Sequence, residues 1–251
     1  METRELLKKR FLELSKKAYN GGYYTFSDFL GLAELSVFEE IKRELYGIEY
    51  LAFGGLSGCE RVMIRFGNPE ELGYIENFPI SILKLEPVSQ KFADSLTHRD
   101  FLGALLNLGI ERSVLGDIVI RDNVGYVFIK SDMCEYVLRE LHRIKHTEVN
   151  VSEAPDVPDG ELFKTEGVRL QVSGERVDAV VAKLFSLSRE EAKSLFEKSL
   201  VFINGKDCTS PACAPKQNDI ISVRGHGRFI YRGYETLSKK GKFNVDVDLY
   251  V

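Results

Sequence analysis

The feature that most constrains the fold is a switch of hydrophobic period that repeats between residues 78 and 151. Ile80 to Leu85 reads as a strand, Thr97 to Leu108 as a helix, Asp117 to Ile120 and Gly125 to Ile129 as two strands, Met133 to Ile144 as a helix, and Thr147 to Val151 as a strand. That order, βαββαβ, builds a split βαβ sheet with two helices on one face, the ferredoxin-like topology. Thr97 is placed to cap the helix that carries Phe101, Leu102, Leu105 and Leu106, and Ser131 to cap the one that carries Cys134, Val137, Leu138 and Leu141.

On either side the pattern changes. Leu7, Phe11, Leu14 and Ala18 recur at helical spacing and predict a helix from about Glu5 to Tyr19, stopped by Asn20-Gly21-Gly22. Leu35, Phe38, Ile41 and Leu45 form a second apolar stripe, so the start of the chain reads as a helical hairpin. Tyr50 to Phe53 and Arg61 to Phe66 then read as strands joined by a glycine-rich hairpin turn. Residues 152–167 hold two of the seven prolines and five acids without periodicity, which predicts an exposed connector. Beyond it Val177, Val180, Val181, Leu184 and Phe185 form an amphipathic helix, and Ser188 with Glu191 makes a capping box ahead of Ala192, Leu195 and Phe196. Leu200 to Ile203 is a strand ending in the hairpin dipeptide Asn204-Gly205, and Asp219 to Arg224 is a later strand. The reading is therefore an α+β chain with a helical region and hairpin at 1–76, a βαββαβ domain at 77–151, an acidic linker at 152–167, a third module at 168–233 and a C-terminal extension at 234–251.

Composition excludes several classes of function. With 44% hydrophobic and 29% charged residues the chain is neither disordered nor membrane-spanning, and METRELLKKRF has no secretory pattern, so a cytoplasmic location is expected. Cys59, Cys134, Cys208 and Cys213 form no CxxC pair, and the four histidines complete no zinc-ligand spacing, so neither a metal nor a cofactor is expected. His98-Arg99-Asp100 matches a kinase triplet in letters only and sits at a helix start. Gly54-Gly55-Leu56-Ser57-Gly58 lacks the Gly-Lys-Ser/Thr ending of a phosphate loop and reads as a turn. No GxGxxG is present, and no catalytic residue is assigned.

Charge is the positive signal. The formal charge is −4 overall, yet residues 176–232 carry +4 and the rest of the chain −8, which points the C-terminal module at a polyanion. The run RVDAVVAKLFSLSREEAKSLFEKSLVFINGKDC, continued by KQNDIISVRGHGRF, resembles the S4 RNA-binding domain. The carriers are the Arg176-x-Asp178 opening, the capped Ser188-Arg189 helix, Val201-x-x-Asn204-Gly205-Lys206, and Asp219-Ile220-Ile221 leading to Arg224-Gly225. The resemblance implies that paired short helices present basic side chains to structured RNA. Arg189 and Lys193, four residues apart beside the buried stripe, are the foremost candidates, followed by Lys206, Arg224 and Arg228. Arg176 and Ser188 complete the candidate set, although Arg176 also has Asp178 and Asp219 as local partners. For each cation the competing reading is a solvated surface. Tyr126 and Phe128 share one strand face and read equally as core or as a base-stacking platform of an RNA-recognition-motif-like sheet.

Upstream segments extend the resemblance. Phe53-Gly54-Gly55, Cys59-Glu60-Arg61, Phe78-Pro79-Ile80, Lys91-Phe92-Ala93-Asp94, Thr97 to Leu105, Leu108 to Arg112 and Gly116-Asp117-Ile118 are together similar to the YlmH family of bacterial S4-domain proteins. That resemblance implies a monomeric, non-catalytic protein that binds rRNA of the large ribosomal subunit and tRNA, acting in rescue of obstructed subunits. It also implies division proteins as partners, and a protein-interaction scaffold is the alternative function.

Overall fold

A computed structural model of the chain describes residues 2–45, 47–158, 160, 162–237 and 242–251. It forms two compact units, Met1–Leu162 and Phe163–Val251. The first contains α1 (Glu2–Gly21), β1 (Thr25–Phe26), α2 (Leu32–Ile41), β2 (Tyr50–Phe53), β3 (Met63–Phe66), α3 (Pro69–Leu72), β4 (Ile80–Pro87), α4 (His98–Asn107), β5 (Leu115–Arg121), β6 (Val124–Lys130), α5 (Cys134–Glu140), β7 (Arg143–Ile144) and β8 (Thr147–Ala154). The second contains β9 (Thr165–Val172), α6 (Val177–Leu184), α7 (Arg189–Glu197), β10 (Val201–Ile203), β11 (Lys206–Asp207), β12 (Ile220–Val223), β13 (Gly227–Leu237) and β14 (Phe243–Tyr250).

In the first unit a five-stranded sheet has the order β5-β6-β4-β8-β7. Its first four strands stand as a split βαβ sheet should. Alternation sends Leu83, Leu85, Val127 and Ile129 to one face, where Phe101 and Leu105 of α4 and Val137 of α5 cover them. The other face is covered too. A small sheet ordered β1-β3-β2 lies there, and Phe29 and Met63 meet Val119, Tyr126 and Phe128 of the five-stranded sheet. The opposite face of the small sheet, through Ile64 and Phe66, packs on Phe11 and Leu14 of α1 and Val37 and Phe38 of α2. The expected helical hairpin is thus one layer of a stack in which β3 is buried on both faces, while β2 stays exposed at the edge of the small sheet.

A polar pin accompanies this contact. The Asp117 carboxylate accepts from the backbone N–H groups of Glu60 (2.7 Å) and Arg61 (3.2 Å). The Arg61 guanidinium in turn donates to the carbonyls of Leu115 (2.8 Å), Arg112 (2.9 Å) and Phe29 (3.2 Å). Burial lowers the pKa of Arg61 and raises that of Asp117. Cys59-Glu60-Arg61, Arg112 and Gly116-Asp117 therefore serve packing.

The second unit is a six-stranded antiparallel sheet ordered β11-β10-β12-β13-β14-β9, with Val177, Val180 and Val181 of α6 and Leu195 and Phe196 of α7 in its core. Asn204 (φ 48°) and Gly205 (φ 75°) make the two-residue turn between paired Ile203 and Lys206, as the dipeptide predicts.

Three expectations need correction. Residues 152–154 continue β8 and 165–167 begin β9, so the connector is shorter than 152–167. The residues at 234–251 are not an appendage: β13 runs on to Leu237, and β14 lies between β13 and β9 with Val245 and Val247 fully buried. Of these stretches, residues 159, 161 and 238–241 lie outside the described residues. Finally, α5 ends at Glu140, because Arg143 and Ile144 pair with Glu148 and Thr147 as a strand, and Ser131 opens a 3-10 turn instead of capping α5. A chain ending at Gly233 would strip β9 of its partner strand. We expect such a chain to lose cooperative unfolding of the second unit, measured by denaturant titration, while a chain without β14 that unfolds like the full-length protein would contradict this sheet order.

Candidate nucleic-acid interface

A groove of about 730 Å³ opens in the second unit beside the turn that joins β9 to α6. Arg176, Lys183, Arg189 and Lys242 line it with Asp178. Arg176 sits just ahead of α6, and its Nε and Nη2 donate to the Asp178 carboxylate at 3.0 and 2.6 Å. Of the two local partners read from the sequence it takes this one; Asp219 instead accepts from Asn204 Nδ2 and the Lys216 N–H. The pair is exposed on the arginine side, where solvent screens it, so a phosphate can compete for the guanidinium.

Arg189 opens α7 on the groove side. Its position is set by Ser188, whose N–H donates to Glu191 Oε2 (2.8 Å) and whose Oγ accepts from the Glu191 N–H (3.2 Å). Arg189, Lys193 and Lys183 are exposed and have no ion-pair partner among the described residues. Lys193 stands one turn further along α7, outside the lining of the groove. Lys183 and Lys242 were missed as candidates. Lys183 lies six residues from Arg189 across a helix break, a spacing that no single-helix pattern reveals, and Lys242 reaches the groove only because β14 belongs to the sheet.

The remaining candidates lie elsewhere on this unit. Arg224 rests its guanidinium 4.6 Å from the centroid of the Phe202 ring, and Arg228 lies 5.3 Å from that of Tyr250. Lys206 is exposed on the short edge strand β11. None of the three lines the groove. Arg232 binds Asp248 (2.7 Å) and Asn218 (2.6 Å) and is structural.

In the first unit the choice over Tyr126 and Phe128 resolves to core: they are 8% and 0% exposed under the small sheet. His98-Arg99-Asp100 is a helix start, with Asp100 accepting from Lys145 (2.9 Å) and from the Thr97 N–H (2.8 Å), contacts that hold its carboxyl down at about 2. At the Gly54-Gly55 turn the backbone packs closely, since a Cβ on Gly54 would lie 2.4 Å from the Arg61 carbonyl oxygen. Burial pushes the Cys59 and Cys134 thiols up to about 12, which leaves neither as a thiolate nucleophile. Among the described residues no cluster of metal-ligating side chains occurs, and no helix is long and apolar enough to cross a membrane.

Because the Ser188 hydroxyl is committed to the cap, Ser188→Ala should destabilise the second unit by about 1 kcal/mol. Denaturant unfolding checks this, and RNA titrations at several salt concentrations should show an unchanged salt slope.

A family model described as "Putative RNA-binding domain in YlmH" matches residues 74–157. The chain is 30% identical over 206 residues to "Ribosome-associated protein quality control protein P2" of Bacillus subtilis (strain 168), across 78% of this chain and 76% of that protein. It is also similar to the solved structure titled "Cell division protein ylmH from Streptococcus pneumoniae", with a TM-score of 0.48 and 23% identity, over 60% of this chain and 90% of that one. Identity at this level across three quarters of both chains, with the family model on the central region, shows that the chain belongs to the YlmH family.

Proposed function

We propose that this chain is a non-catalytic RNA-binding protein that acts on the large ribosomal subunit and its tRNA in the rescue of obstructed subunits. The second unit, read as an S4 module, is the principal contact, and the β4 to β8 domain, which the RNA-binding family description matches, meets RNA through surfaces other than its covered Tyr126 and Phe128 face. The observation that carries the reading is the groove at the α6 and α7 ends, where Arg176, Lys183, Arg189 and Lys242 converge against a single lining carboxylate, Asp178. Cations in fixed places suit phosphates: guanidinium groups pair with two phosphate oxygens at once, while Lys acts as a point charge. The ribosome enters through the relative's printed name, and RNA binding is supported besides by the RNA-binding family description that residues 74–157, the β4 to β8 domain, match.

Each phosphate contact releases counterions, so affinity should fall by about 0.9 log units per contact for each log unit of salt. Arg189→Glu with Lys193→Glu should therefore weaken binding to purified large subunits and flatten the salt slope by about two contacts' worth, with circular dichroism unchanged. Unaltered binding and slope in a folded double variant would show that this surface is not the interface.

A further inference from the structure

The first unit contains a groove of different chemistry. It encloses about 660 Å³ between β2 and the start of β4. Leu51 and Phe53 alternate along β2, share one face, and are 50% and 37% exposed. Ile75, Phe78 and Ile80 continue the apolar wall. β2 is the edge strand of its sheet, so one side of its backbone has no partner strand among the described residues.

Arg65 also lines this groove, opposite Leu51 in register on β3. It is 7% exposed. Its Nη1 donates to the Glu76 carbonyl at 2.7 Å, and its guanidinium lies 4.6 Å from the Tyr24 ring centroid and 5.4 Å from that of Phe78. No carboxylate of a described residue pairs with it, and its buried Nε has no acceptor. A buried cation is costly unless it is paired and hydrogen-bonded, and here the aromatic faces and one carbonyl are the compensation the chain supplies.

We propose that this groove docks an extended segment of a partner protein that carries an apolar side chain beside a carboxylate. The apolar side chain lies on Leu51 and Phe53, the carboxylate faces the Arg65 guanidinium, and the free edge of β2 offers main-chain hydrogen bonds. Charge favours a protein over a nucleic acid. A strand of RNA brings a phosphate at every nucleotide, whereas the lining holds one guanidinium and also the Glu153 carboxylate. This docking is independent of the RNA groove in the second unit.

The test is to pan a phage-displayed library of random dodecapeptides against the full chain, then measure binding of the enriched peptides by fluorescence anisotropy. Enriched sequences should place Asp or Glu within two residues of a large apolar side chain. Leu51→Lys and Phe53→Lys, which change exposed side chains, should each weaken binding by about tenfold or more. Replacing the peptide's acid with its amide should cost a similar factor on the unmodified chain and nothing further on Arg65→Gln. If Arg65→Gln fails to fold, the amide comparison on the unmodified chain and the β2 variants decides. The proposal is overturned if panning enriches nothing over a Leu51→Lys control, if the amide peptide binds equally well, or if the enriched peptides lack acids. It is likewise overturned if oligouridylate displaces them, or if the groove is filled by a second copy, seen as a dimer that Leu51→Lys dissociates.

Discussion

Gly55 and Gly116 both lie close against the Phe128 side chain, and much of the first unit depends on that contact. A Cβ on Gly55 would lie 2.4 Å from the ring, and one on Gly116 would lie 2.7 Å from the Phe128 Cβ. Glycine is required at both places by close approach, and at Gly55 also by a φ of 108°. The approach brings the small sheet down onto the five-stranded one, where Arg61 and Asp117 then satisfy backbone groups that the contact takes out of water. Removing the ring would cost about 3–5 kcal/mol in transfer and cavity terms, a large share of the stability of any domain.

That packing decides what the unit can do. A split βαβ sheet that binds single-stranded RNA does so by stacking bases on an open aromatic face. Here the equivalent face is closed over Tyr126 and Phe128, so the most familiar way of using this topology is unavailable to it. In the second unit Arg189, Lys193 and Lys183 have no ion-pair partner among the described residues, and the Ser188 cap and the α6 to α7 break set two of them around one groove. The polarity of charge along the chain, +4 over residues 176–232 against −8 elsewhere, thus has a structural counterpart.

Much of this was legible beforehand. The alternation of period located the βαββαβ elements, and the Ser-x-x-Glu box and the Asn-Gly turn gave local geometry directly, because each is decided by a few neighbouring residues. What was not legible depended on distant partners. Thr165–Val172 and Phe243–Tyr250 alternate well enough, with Val168, Leu170 and Val172 facing the core along with Val245 and Val247, but both border acidic or unpatterned stretches, so residues 165–167 fall in the expected linker and 243–250 in the expected extension. Their pairing across some eighty residues makes them strands. Lys242 was lost as a candidate for the same reason. The small sheet over Phe128 was hidden similarly, since β1 is only two residues long and its role appears only once β3 lies beside it.

The most direct measurement is ultraviolet crosslinking of the protein to RNA in cells, with sequencing of the RNA and mass spectrometry of the crosslinked peptides. Reads should concentrate on large-subunit rRNA and tRNA, and crosslinked peptides should come from the groove around Arg176, Lys183 and Arg189, with none from Tyr126 to Phe128. Reads no richer than those of the Arg189→Glu, Lys193→Glu chain, or crosslinks centred on the buried aromatic strand, would contradict it.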